Sequence, residues 1–86
     1  MGVRGIQCRA ARALLGLSQR ELAEAAHIGL RLLVDFEKEA RSLTPSGMIA
    51  LEKTLTDLGI ILIEENGWVG VKIRQHVDGA APAGRR

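Results

Sequence analysis

Few side chains in this 86-residue chain are spaced for bond-breaking chemistry. General acid–base work by two carboxylates needs both to face one reacting group. Glu64 and Glu65 are adjacent, and neighbours on a strand point to opposite faces, so the pair reads as a solvated turn flank. Glu37 and Glu39 are two apart, and on a helix such residues do not face each other either. A metal site needs clustered ligands at short spacing. His27 and His76 stand far apart, and Cys8 is the single cysteine, which excludes an intrachain disulfide and a cysteine-based metal site. Cys8 reads as a small packed residue of a first helix. No phosphate-cradling glycine loop and no catalytic triad is spelled out. An enzyme, a cofactor and a metal are therefore not expected. What remains is recognition chemistry. Arg31 has it most clearly, because a guanidinium can fork onto two acceptors at once.

The elements that would carry such side chains can be read from caps and periodicity. Residues 1 to 5 are expected to form a loose, flexible arm. Residues 6 to 15 form a first helix, with Ile6, Ala10, Ala13, Leu14 and Leu17 at helical spacing and Gly16 as its stop. Ser18 opens a second helix, and Glu21 completes a capping box with it. That helix runs to about Ala26, with Leu22, Ala23, Ala25 and Ala26 as a small-residue face. His27-Ile28-Gly29 is the turn, with Gly29 expected to take up the chain reversal. A third helix covers about residues 30 to 39, with Leu33, Phe36 and Ala40 as its core stripe. Thr44 caps a fourth helix that has Pro45 at its first position. Met48, Leu51, Leu55 and Leu58 form the inner face of that helix, and Gly59 closes it.

The period then changes to two. GIILIEENGWVGVKI reads as a β-hairpin turning at Asn66-Gly67, which sets Leu62 opposite Val71 and Ile60 opposite Ile73. One face carries Ile60, Leu62, Val69, Val71 and Ile73; the other carries Ile61, Ile63, Trp68 and Lys72. A hairpin packed on helices needs one apolar face, so the second is expected to meet another copy of the chain. Ile61, Ile63 and Trp68 are the expected dimer contacts. Simple packing of Trp68 over the helices is the competing use. Residues 75 to 86 read as a flexible tail.

Composition bounds the rest. Hydrophobic residues are 47% and charged residues 26% of the chain, as in an ordinary folded domain. Phe36 and Trp68 are its only aromatics, so the core must be aliphatic. The formal charge of +2 equals what Arg85 and Arg86 contribute at the end of the chain. Binding to a polyanion must then come from local placement of Arg and Lys. No apolar run approaches the ~18 residues that would suggest a membrane span, and the start does not read as a secretory signal. A reducing cytoplasm suits the lone thiol.

The run CRAARALLGLSQRELAEAAHIGLRLLVDFEKEARSLTPSGMIALEKTL resembles the XRE-family, or Cro/CI-like, helix-turn-helix domain. The resemblance covers roughly residues 8 to 58. Its specific parts are LGLSQRELAEAA, the spacing to Leu33 and Phe36, and Glu37-Lys38. The appended hairpin looks like that of small stand-alone bacterial regulators of this type. The resemblance implies a mainly α fold, a lambda-repressor-like domain of four to five helices over residues 6 to 58, with the hairpin at residues 59 to 74 as a possible dimerisation element. It also implies double-stranded DNA as partner, with the third helix in the major groove. By position, Ser18 is the cap of the second helix, and Gln19 offers a backbone amide to a phosphate and a side chain to a base edge. Arg12 matches a phosphate-contacting arginine that also pairs with Glu37. Gly29, Leu30, Arg31, Val34 and Asp35 fall on base-reading positions, and Lys38, Arg41 and Ser42 lie near the phosphate-touching loop.

The third helix departs from that pattern in chemistry. Leu30 and Val34 could meet only thymine methyl groups, and Asp35 repels phosphate unless it accepts from a cytosine amine. Glu39 stands where the family commonly has glycine. Leu30, Leu32, Leu33, Val34, Phe36 and Ala40 together cover roughly 200° of the helix, about twice what a core stripe needs. The excess has three explanations: deeper burial of the helix, a protein partner docked on Leu30, Leu32 and Val34, or a T-rich site read by methyl contacts. The expected function is a homodimeric transcriptional regulator on a two-fold operator. The alternative is a protein-binding module on the same scaffold, of antitoxin or antiactivator type.

Overall fold

Capping residues set several helix boundaries in the computed structural model, which describes residues 2–75. α1 (Gly5–Leu15) stops at Gly16, whose φ of 72° is the left-handed turn that a residue without Cβ adopts freely. α2 (Gln19–Ala26) starts at Ser18. The Ser18 hydroxyl accepts from the Glu21 amide at 3.0 Å, and the Glu21 carboxylate accepts from the Ser18 amide at 2.8 Å. This box satisfies two amides that no helical carbonyl can reach. α3 (Leu30–Glu37) follows the turn over residues 27–29. α4 (Pro45–Asp57) is capped by the Thr44 hydroxyl, which accepts from the Gly47 amide at 3.1 Å. β1 (Ile60–Glu65) and β2 (Trp68–Ile73) pair antiparallel about Asn66 and Gly67, both at positive φ. The register sets Leu62 opposite Val71 and Ile60 opposite Ile73, as a two-residue turn requires.

These elements enclose one aliphatic core. Leu22, Leu33, Leu51, Leu55 and Ile60 are fully buried and come from α2, α3, α4 and β1. The hairpin joins that core by one face, through Ile60, Leu62, Val71 and Ile73. Gln7 of α1 fixes the join. Its buried amide nitrogen donates to the Ile63 carbonyl at 2.9 Å and to the Gly70 carbonyl at 3.1 Å, and those two residues are ladder partners. Its amide oxygen accepts from the Arg4 backbone at 2.9 Å. A buried amide with all its bonds satisfied favours one docking position over its neighbours. Gly5 lets α1 close on α3: a Cβ there would lie 2.5 Å from the Phe36 carbonyl oxygen.

Several expectations are corrected. Val3, inside the stretch expected to be a loose arm, is 3% exposed and packs in the core. α1 buries Gln7, Cys8 and Ala11, whereas Ile6 and Leu14 of the expected stripe are 38% and 47% exposed. The cause is that Gln7 and Arg12 each find three polar contacts on that side, which outweighs the apolar periodicity. The reversal before α3 is made by His27 at φ 57°, not by Gly29, whose φ of −60° suits any residue. α3 ends at Glu37, so Ala40 falls beyond it and is exposed; Ala25 and Leu58 are exposed too. Apart from Gln75, the expected tail and His76 lie outside the described residues. Among the described residues no helix is long and apolar enough to cross a membrane, and no three His, Cys, Asp or Glu side chains gather as a metal site needs.

Candidate nucleic-acid interface

One buried carboxylate ties together the three helices around the turn. Cys8 and Arg12 lie one helical turn apart on α1, Gln19 opens α2, and Glu37 ends α3. Arg12 lays its guanidinium on Glu37 through Nε to Oε2 at 2.7 Å and Nη2 to Oε1 at 2.9 Å. Its Nη1 donates to the Leu17 carbonyl at 3.1 Å. Gln19 Nε2 donates to Glu37 Oε1, and the Cys8 thiol to Oε2, each at 3.0 Å. The Glu37 side chain is 1% exposed. Burial works against its charge, yet the bonds from Arg12, Gln19 and Cys8 outweigh burial and hold its pKa below the ordinary 4.5. Burial, reinforced by the carboxylate, pushes the Cys8 thiol up, so it remains a protonated donor. The relative placement of α2 and α3 is thereby fixed from α1.

The outward face of α3 is more polar than its composition suggests. Leu30 and Leu32 pack against the core, Leu33 and Phe36 are buried, and Val34 is half-buried. Of the three explanations for the apolar excess, this geometry favours deeper burial. What stays exposed is Gly29 at the start, Arg31 in the first turn and Lys38 just past the end. Neither Arg31 nor Lys38 is in an ion pair among the described residues. Asp35 pairs with Arg41 at 3.6 Å. Arg41 and Ser42 are exposed and line an open groove of about 350 Å³, together with Arg4, Glu39 and Met48.

The other site residues divide into inward and outward groups. Arg12 faces inward, with a side chain 20% exposed and committed to Glu37 and Leu17. Gln19 also turns its amide nitrogen inward, because the buried carboxylate is the stronger acceptor. The reach of its side chain to a base edge is therefore curtailed, and with the Ser18 amide taken by Glu21, the Gln19 backbone amide is what the start of α2 offers outward. Ile61 and Trp68 are 41% and 74% exposed on the hairpin face away from the core, and Ile63 is half-buried there. Two residues of the site went unread in the sequence. Arg20 follows Gln19 in the first turn of α2, exposed and in no ion pair among the described residues; its place beside the cap was the available signal. Cys8, expected only to pack, also donates to Glu37, and its spacing of four from Arg12 puts both on one face.

A family model described as helix-turn-helix matches residues 9–56. The match takes in most of α1, all of α2 and α3 and nearly all of α4, and it leaves the hairpin outside. No curated protein compared with the chain is a match. The matched span exceeds half the chain, and within it a serine-capped α2 meets α3 through the tight turn at His27: the chain belongs to the XRE-type helix-turn-helix family.

Proposed function

We propose that this protein is a DNA-binding transcriptional regulator that occupies a two-fold operator as a homodimer, with one α3 per half-site. The family supports DNA as the ligand. The observation that carries the reading is the pair of exposed cations, Arg31 and Lys38, flanking a helix whose other sides are packed into the core. Arg31 would take a guanine edge in the major groove, the commonest specific contact for such a side chain. Lys38, Arg20 and the amides at the start of α2 would hold phosphates and fix the register. A single α3 offers few base contacts, so specificity calls for a second copy, with half-sites about 34 Å apart. The outer hairpin face of Ile61, Ile63 and Trp68 is the surface proposed to join the two copies. A reducing cytoplasm suits the free Cys8 thiol.

The rival use of α3, as a docking face for a protein partner, has lost support. Leu30 and Leu32, two of its three anchors, turn toward the core. A gel shift against the DNA upstream of the protein's own coding sequence, repeated over a salt series, tests the proposal. A retarded complex is expected, with log affinity falling linearly in log salt. Arg31→Ala should weaken it by about 1–3 kcal/mol. Unchanged affinity in that variant would remove the assigned role of α3.

A further inference from the structure

Asp35 lies in the last turn of α3, where the helix dipole presents its negative end and a carboxylate is disfavoured. It also stands on the helix proposed to face a polyanion. Both fields oppose it, and one contact offsets them: Arg41 Nη1 lies 3.6 Å from Asp35 Oδ2. The backbone after α3 is bent in a way that makes this contact. Glu39 takes a left-handed φ of 62°, its amide donates to the Phe36 carbonyl at 2.9 Å, and the Ala40 amide donates to the Asp35 carbonyl at 2.9 Å. This is a Schellman closure with a glutamate where glycine usually stands. It folds the chain back so that Arg41 lies beside Asp35.

We propose that Asp35 is a specificity residue that keeps Arg41 off DNA phosphates until α3 meets a base that Asp35 can bond. The proposal rests on the DNA-binding reading and deepens it. On unmatched duplex Arg41 stays in its ion pair and adds little to the counter-ion release that drives sequence-independent binding. Where a cytosine amine faces Asp35, the carboxylate accepts from it, and Arg41 is released to a neighbouring phosphate. One base contact is thereby coupled to one phosphate contact. The pair suits such exchange because it is long and its side chains are 23% and 55% exposed, unlike the buried fork of Arg12 on Glu37.

Fluorescence anisotropy with a labelled random-sequence duplex over a salt series provides the test. Asp35→Asn should tighten binding about fivefold, the upper range for one surface ion pair. It should also steepen the log–log salt slope by about 0.9, the mark of one added phosphate contact. In an Arg41→Ala background, Asp35→Asn should leave the slope unchanged. Equal shifts in both backgrounds overturn the proposal, since Asp35 would then act by its own repulsion alone. So does an unaltered slope in the single variant. Asp35 is half-buried and Arg41 exposed, and thermal melts matching the unsubstituted chain confirm an intact fold. Failure of the unsubstituted protein to bind any duplex at low salt would overturn the DNA reading itself, and that is seen before either substitution is made.

Discussion

Replacing Glu37 by glutamine keeps its shape and removes its charge, and the structure gives the cost by two routes. The carboxylate accepts from Arg12 Nε, Arg12 Nη2, Gln19 Nε2 and the Cys8 thiol. A glutamine oxygen can replace only one carboxylate oxygen, so its NH2 confronts the donors on the other side. Either orientation strands two donors, at about 1–3 kcal/mol for each buried one. Counted instead as a broken buried ion pair, the loss is about 3–5 kcal/mol. At roughly 0.05–0.15 kcal/mol per residue, a chain of this length has on the order of 4–13 kcal/mol in total. Taking the middle of both ranges, Glu37→Gln should thus remove about half of the stability. Urea unfolding followed by far-UV circular dichroism at pH 7 reads it as a lower midpoint at unchanged slope. The folded pKa of Glu37 lies below 4.5, so its contribution is fully present above that pH and is lost as pH falls through the folded value. The gap between the two proteins should therefore narrow below about pH 4.5. A loss under about 1 kcal/mol at pH 7, or a gap that stays constant into acid, would refute this account of Glu37.

Glu39→Gly tests the strain at the end of α3. A left-handed non-glycine residue costs about 1–2 kcal/mol, and glycine gives back about 0.5–1 through its freer unfolded chain. A net gain of roughly 0.5–1 kcal/mol should raise the melting temperature by about 2–8 °C, and a fall would contradict the strain assignment. Trp68→Glu tests the proposed pairing face. Trp68 is 74% exposed and stands outside the core, so the variant should keep its far-UV spectrum while sedimenting as a monomer. A dimer that survives it would move the interface elsewhere.

The fold was legible wherever the chain carries a local device. Ser18 with Glu21, Thr44 with Pro45, Gly16, and Asn66 with Gly67 each specify their geometry within a few residues, and each turns up as expected. The face of α1 was not legible. Its sequence offers the apolar stripe of Ile6, Ala10 and Leu14, yet the inward side carries Gln7, Cys8 and Arg12. Their partners are Ile63, Gly70, Leu17 and Glu37, most of them tens of residues away. Hydrophobic period cannot anticipate polar groups that become satisfied only after the fold closes.

The same long-range polar network accounts for the chemistry of α3. Glu37 holds the end of α3 against α1 and α2, and Gln7 holds α1 against the hairpin. With α3 held in this way, Leu30 and Leu32 are partly buried against the core. The cost is a short polar surface: Arg31 and Lys38 are in no ion pair among the described residues, while Asp35 and Arg41 are engaged with each other. So few contacts cannot specify a site alone, since a mismatched base pair typically changes affinity by only about 1–3 kcal/mol. On the proposed function, selectivity would be multiplied by a second copy or by coupling one contact to another. The exposed Ile61 and Trp68 offer the first route, and the Asp35–Arg41 pair offers the second.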